Sequence, residues 1–395
     1  MLLVLIAALA YVSQASRYVL YLTAQHEVYP PAVHIADVTH VTLAFMKSSI
    51  FNGKPPSKWP LFTDVETVRK KFPKKDLAVL IAIGGWGDTR GFSAAAASQM
   101  GRKAFAENIK AMLDSTGADG VDLDWEYPGG NGEDYKQITN SEKSWEVGVY
   151  PKLLAEIRAA IGPDKIMSAA VPPMNSWDFG EQGKPIDIQV AFTKDTLVEA
   201  MKYLDYVNIM TYDLMNRRDN VTAHHTGIDN SLIAIDTYLN NGVPAEKANL
   251  GFAFYVKWFR TTEECAQKAL GCKTVEMEDP KTGRDLGQSG AFSWHDKIPT
   301  ELKKSFEKAV PNAMYDDDGN YYWDAEEKIF WSWDTPASMA KKFPAIVQPR
   351  KLGGVFAWGL GEDANAFIHL KTLNAVFRKY LKLKPKGTRP AKDEL

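Results

Sequence analysis

Three carboxylates fall at every second position in the octet Asp119-Gly120-Val121-Asp122-Leu123-Asp124-Trp125-Glu126. Asp122, Asp124 and Glu126 alternate with Val121, Leu123 and Trp125. On a β-strand successive side chains point to opposite faces, so one face is apolar and the other carries a row of acids. A rise of about 3.3 Å per residue sets neighbouring acids roughly 7 Å apart. Like charges on a buried strand raise one another's pKa values, and burial adds to the effect. Acid/base chemistry on sugars uses such perturbed carboxylates on the inner face of a sheet. Two other readings of the octet are a solvated edge strand and a divalent-cation site. The chain offers no further cluster of acids or histidines at ligand spacing, and no metal or cofactor is expected. Tyr127-Pro128-Gly129-Gly130 then stops the strand, which puts Glu126 at its C-terminal end. Parallel α/β folds carry their chemistry at that end.

The elements that must hold this row are legible as short β-branched runs with helical segments between them. Strands are expected at Tyr18–Thr23, Val41–Met46, Ala78–Ile83, Gly120–Trp125, Ile166–Val171, Tyr206–Met210, Ala248–Phe254 and Gly354–Trp358. Amphipathic stretches such as Arg102 to Leu113, Glu146 to Ile161 and Lys194 to Tyr203 have apolar residues at helical spacing. Eight strand–helix units argue for a (β/α)8 barrel, with the octet on the fourth strand. An open doubly wound sheet is the alternative, and no G-x-G-x-x-G opens a helix here. The gap before the last strand is too long for one helix. Residues 261–329 are therefore expected to form a small α+β insertion walling one side of a groove. The barrel then comprises 16–260 and 330–381. Thr335-Pro336-Ala337-Ser338 opens a helix with Pro near its first position.

The 395 residues are 45% hydrophobic and 24% charged, enough for a large core. The net charge of −2 gives no reason to expect nucleic acid or a membrane as partner. Leu2 to Val12 is an apolar run too short to span a bilayer, and Ser13-Gln14-Ala15 supplies small residues for cleavage. Residues 1–15 are thus expected to be a signal peptide. The chain ends Lys392-Asp393-Glu394-Leu395, an address for retention in the endoplasmic reticulum through its receptor. Secretion is the alternative destination. Residues 382–395 form a basic tail that would expose the address. Cys265 and Cys272 are either a small-loop disulfide or two free thiols. Asn220-Val221-Thr222 is a glycosylation sequon. The expected state is a monomer.

With these residues placed, the chain resembles glycoside hydrolase family 18, the chitinases, over nearly its whole length. The D-G-x-D-x-D-x-E signature is complete at Asp119 to Glu126, and M-x-Y-D stands at Met210-Thr211-Tyr212-Asp213. The third-strand S-x-G-G pattern appears as Ala82-Ile83-Gly84-Gly85, with Ala for Ser, followed by Trp86. The eighth-strand Trp is Trp358. The seventh strand is a divergent G-x-P-x-Y-G-R, with Ala253, Val256 and Lys257 replacing Pro, Gly and Arg. The stretch from Met210 to Asp219 looks most like fungal members.

The resemblance implies retaining hydrolysis of chitin or chitooligosaccharides. Asp124 and Glu126 lie on one strand and cannot readily flank a sugar, so the substrate's own acetamido group would be the nucleophile. Glu126 would then be the acid/base. Asp124 would orient the acetamido N–H and offset charge in an oxazolinium intermediate, sharing a proton with Asp122. Tyr212 would bind the acetamido oxygen, Asp213 would hold the distorted sugar, and Trp358 would be its floor. Trp86, Tyr127, Met210, Gly85 and Tyr255 would line the walls. Without the resemblance, Trp358 fits barrel core and Tyr212-Asp213 a strand-end turn. Trp177, Trp258, Trp331 and Trp333 read equally as sugar-stacking or packing residues. Arg217 and Arg218 read as a solvated loop. Two other functions remain: an endo-β-N-acetylglucosaminidase acting on N-glycans, and a glycan-binding lectin.

Overall fold

The computed structural model describes residues 16–173, 191–262, 265, 269–364 and 366–381. The expected signal peptide, the C-terminal address and Trp177 lie outside these residues. Eight parallel strands close a barrel. They are β1 (Arg17–Thr23), β2 (His40–Met46), β3 (Ala78–Gly84), β4 (Gly120–Asp124), β5 (Ile166–Val171), β6 (Tyr206–Ile209), β7 (Ala248–Ala253) and β13 (Gly354–Trp358). Each expected strand is present within about a residue at either end. Helices cover the outside, and their sequences show why they form. Gln99–Thr116 starts where the Ser98 hydroxyl accepts the Gly101 N–H and ends at Gly117, whose φ is +69°. It buries Phe105, Ile109, Met112 and Leu113 along one stripe. Pro336–Lys342 starts at the expected place, with Thr335 and Ser338 capping each other.

Register carries the site. Ala82 on β3 pairs with Asp122, and Asp122 pairs with Ser168 on β5. Gly84 pairs with Asp124, and Tyr21 on β1 pairs with Trp358 on β13. Gly84 has φ +112°, and a Cβ there would stand 2.2 Å from the Asp124 carbonyl oxygen. Only glycine permits that approach of β3 to β4. Non-proline cis peptides occur at Ala44–Phe45, Glu126–Tyr127 and Trp358–Gly359.

The insertion is larger than its expected bounds of 261–329. Its sheet runs β10 (Met314–Tyr315), β11 (Asn320–Asp324), β12 (Ile329–Trp333), β8 (Tyr255–Arg260) and β9 (Ser289–Ser293), all antiparallel. Tyr255–Arg260 therefore leaves the barrel, as does Ile329–Trp333. Only Phe254 separates β7 from β8, so the apolar run crosses from one sheet to the other without a turn signal. Val256, Phe306, Trp331 and Trp333 form the insertion's core. Trp331 and Trp333 are packing residues, fully withdrawn from any sugar, and Trp258 packs against the same core. Cys265 and Cys272 are joined as a disulfide. Among the described residues no helix is long and apolar enough to cross a membrane.

Gly84→Ala should destabilise the fold by more than about 1 kcal/mol, because alanine resists a positive φ and its methyl meets backbone. Thermal unfolding should show a fall in Tm of at least roughly 1 °C. An unchanged Tm would contradict the close approach of β3 to β4.

Candidate active site

Asp122 is fully buried at mid-strand, and both its oxygens accept hydrogen bonds. Tyr21 Oη donates to Oδ2 at 2.8 Å, and Ser168 Oγ donates to Oδ1 at 2.6 Å. Burial pushes its pKa up to about 6, and these two donors restrain the rise. The hydroxyl comes from β5, across the strand from Ala82, where the family pattern has Ser. Asp122 and Asp124 are neighbours on the same strand face, and the charge of Asp122 adds to the rise of Asp124.

Asp124 sits one step nearer the barrel mouth. It is 3% exposed, and its Oδ1 is buried without a hydrogen-bond partner. Burial raises its pKa well above the usual range, and Glu126 and Asp122 add to the rise. Glu126 follows at the strand end, next to Tyr127. Burial, with the charge of Asp213 adding to it, pushes Glu126 up to about 7, although the Tyr127 hydroxyl restrains the rise. The row thus contains three acids in three environments: one bonded, one orphaned, one poised near neutrality.

The opposite wall comes from β6 and the insertion. Asp213 has φ +54° and opens half its side chain to the groove. Tyr255 Oη donates to its Oδ1 at 2.8 Å, and Lys257 Nζ lies 3.0 Å away. His225 Nδ1 is 3.7 Å from the same oxygen. Enclosure by itself would raise the Asp213 carboxyl, but Lys257, then His225 and Tyr255, outweigh it and hold the group below the usual range. Lys257 is the residue standing where the family pattern has Arg. It keeps a cation on Asp213, with its Nζ also 5.6 Å from the Phe259 ring centroid. Burial lowers the pKa of His225 and so favours its neutral form.

Between these walls lies a groove of about 560 Å3. Trp358 is its floor, stacked on Phe45 at 5.4 Å and leaning on Tyr21 at 5.6 Å. Trp86, Tyr127, Met210, Tyr212 and Tyr255 line it. Gly85 does not. Its amide donates to the Asp124 carbonyl at 2.8 Å, and a Cβ there would strike the Phe45 ring, so it backs the wall. Asn220 is exposed beyond the groove residues.

Arg217 and Arg218 are not a solvated loop. Arg217 pairs with Glu278 at 3.4 Å. Arg218 lies over the Tyr135 ring at 3.8 Å and the Trp86 ring at 5.6 Å. It also donates to Asn131 Oδ1 at 2.9 Å and the Gly132 carbonyl at 2.9 Å. Together they tie the loop after β4 to the loop after β6 and to the insertion. At the other end of the groove, Glu362 and His26 face one another at 3.8 Å, and Ser293 Oγ donates to Glu362 at 3.1 Å. Sequence reading missed Tyr21, Ser168, His225, His26 and Glu362. A lone hydroxyl inside the apolar strand Ile166–Val171 was the available signal for Ser168. Among the described residues no group of three His, Cys, Asp or Glu could hold a metal ion.

The arrangement offers a buried acid near neutrality, an orphaned carboxyl oxygen beside it, and a flat aromatic floor. Such a site can protonate a leaving group and accept a hydrogen bond from a polar N–H in a dry environment. The profile of a family described as "Glycosyl hydrolases family 18" matches residues 11–363. Chitinase 1 of Aphanocladium album is 28% identical over 369 residues, which is 83% of this chain and 76% of that protein. Chitinase A1 of Niallia circulans is 26% identical over 79% of this chain, yet the chain spans only 44% of that relative. The structure of a chitinase from Rhizomucor miehei matches with a TM-score of 0.70 at 20% identity, covering 91% of this chain and 99% of that one. The barrel, the acid row at the mouth of β4 and the family match agree: the chain belongs to glycosyl hydrolase family 18, and it is a glycoside hydrolase.

Proposed function

We propose that the chain is a chitinase that hydrolyses β-1,4-linked N-acetylglucosamine polymers with retention, using the substrate's acetamido oxygen as nucleophile. The observation that carries this reading is the unpartnered Asp124 Oδ1, buried beside Glu126 on the same strand face. A two-carboxylate retaining mechanism needs a second carboxylate free to attack. Asp213 is a poor candidate, because Lys257 and Tyr255 already occupy its charge. Asp124 suits a different role, since an acetamido N–H would satisfy its orphaned oxygen.

Glu126 gives its proton to the glycosidic oxygen while the acetamido oxygen bonds to the anomeric carbon and the C–O bond breaks. The positive charge of the resulting oxazolinium is offset by Asp124, which accepts the N–H. Tyr212 donates to the acetamido oxygen from the facing wall, and Trp358 supports the ring. Water, deprotonated by the Glu126 carboxylate, then opens the ring from the same face. The named chitinases among the relatives support this substrate.

Purified protein should cleave chitotetraose, and proton NMR of the first products should show the β-anomer. Glu126→Gln should lower kcat by at least about 10²-fold, the scale of one acid/base group. Equal rates in mutant and parent would contradict the assignment. Cleavage of a high-mannose glycoprotein without cleavage of chitotetraose would favour the N-glycan reading, and binding without cleavage the lectin. Glu126 must be protonated to act first, so kcat/KM should fall as pH rises through about 7.

The same row costs stability. A carboxyl whose folded pKa exceeds its unfolded value loses stability for the fold as pH rises from the unfolded value towards the folded one. Asp124→Asn should therefore raise Tm at pH 7 by roughly 2 °C while abolishing turnover. The gain should vanish near pH 4, where the carboxyl is protonated in much of both states. A lower Tm at pH 7 would contradict the burial cost assigned to Asp124.

The compartment is a separate proposal, supported by the apolar run at Leu2 to Val12 and the terminal Lys392 to Leu395. The reading is retention in the endoplasmic reticulum. Deleting the last four residues should move the protein from the cells to the medium in a secretory host. Unchanged retention would contradict it.

A further inference from the structure

A line of buried polar side chains runs through the barrel beneath the acids. Arg17 Nε donates to Asn249 Oδ1 at 3.1 Å. Asn249 Nδ2 donates to Asn208 Oδ1 at 2.9 Å. Asn208 Nδ2 donates to Tyr21 Oη at 2.8 Å. Tyr21 Oη donates to Asp122 Oδ2 at 2.8 Å. Arg17, Asn249, Asn208, Tyr21 and Asp122 are all buried, and they come from β1, β7, β6, β1 and β4.

The line has a direction that chemistry imposes. A guanidinium carries donors and no acceptor. Asn249 must therefore turn its oxygen to Arg17, which leaves its NH2 to donate onward. The same logic orients Asn208. The Tyr21 hydroxyl accepts that bond and gives its own proton to Asp122. Every bond points from a cation at the start of β1 to a carboxylate in the acid row. Barrel interiors are ordinarily filled by bulky apolar groups, and buried amides are costly unless satisfied. Arg17 also donates through Nη2 to the Glu246 carbonyl at 2.5 Å. Burial lowers its pKa to about 10, so it remains charged at neutral pH.

We propose that Arg17, Asn249 and Asn208 are positioning residues for the reaction, whose directed relay holds Asp122 as an ionised member of the acid row. The proton that the chemistry transfers then resides on Glu126, and Asp124 is left to accept the acetamido N–H. This rests on the hydrolytic reading above. Among the described residues the other groups near Asp122 bring no cation. They are Ser168 on β5 and Asp124 on β4, with Tyr206 and Tyr150 close enough to feel its charge, while β3 presents Ala82. Arg17 is the positive end of the hydrogen-bonded line that reaches Asp122 from the strands facing it.

The test uses Arg17→Met and Asn208→Leu in the full chain, with chitotetraose as substrate. An ionised Asp122 should set the rising acid limb of kcat/KM. That limb should move to higher pH in both variants, because breaking the line weakens the Tyr21 bond that restrains the rise of Asp122. The falling limb set by Glu126 should stay in place, and KM at neutral pH should change far less than kcat/KM at low pH. A purely structural lesion would lower the active fraction equally at every pH and leave the limb where it was. Arg17→Lys, which keeps the charge, should recover at least half of the shift. Carbon-13 NMR of aspartate carboxyls, with Asp122→Asn to assign the signal, reads the same titration in folded protein without turnover. An unmoved Asp122 titration in both variants would overturn the relay. If the parent failed to cleave chitotetraose, the hydrolytic reading would fall while the NMR titration still decided the relay.

Discussion

The structure depends on taking three carboxyls out of water along one face of one strand. Each loses hydration, and each sits within reach of the next. The barrel makes that burial tolerable by treating the three differently. Asp122 receives two hydroxyl donors and the end of a polar line. Glu126, restrained by Tyr127, stands near neutrality. Asp124 is left short of a partner. The middle acid is the one that a substrate can complete, so the unfavourable term in the empty site becomes a favourable one in the occupied site.

Closure of the sheet is what allows this division. Tyr21, Ser168 and Asn208 reach the acids from β1, β5 and β6, because a closed barrel turns all inner faces toward one axis. A flat sheet would give Asp122 neighbours on β3 and β5 only. The insertion adds what the barrel lacks. It supplies Tyr255 and Lys257, which neutralise Asp213 on the facing wall. It also supplies Ser293, which meets Glu362 at the far end of the groove. Buried aromatic packing around Trp331 and Phe306, with rings 4.9 Å apart, makes that wall rigid.

Much of this is legible in the sequence, for identifiable reasons. The barrel strands are short β-branched runs whose lengths and spacing leave little freedom, and the acid row announces its own face by its period of two. Residues joined by local sequence, such as Asp122 to Tyr127 and Met210 to Asp213, can be found that way. Residues brought in by register cannot. Tyr21 looks like one more aromatic in an apolar strand, and its role appears only when β1 stands opposite β4. Lys257 reads as the loss of an Arg contact, yet it keeps a cation on Asp213. The insertion's edges are misplaced from sequence because Ala248 to Phe259 is one largely apolar run, interrupted only by Asn249 and Lys257, that serves two sheets. Ser168, Asn208 and Asn249 carry a usable signal: each is a lone polar residue inside an otherwise apolar strand.

The central claim is that the substrate's own acetamido oxygen completes the site above Asp124. The most direct measurement is kcat/KM for aryl chitobiosides whose reacting acetamido group carries none, one, two or three fluorines. Fluorine withdraws electrons from the carbonyl oxygen without greatly changing its size. The account predicts a rate that falls steeply with each added fluorine. A rate indifferent to fluorination would contradict it and would require a nucleophile from the protein or from water.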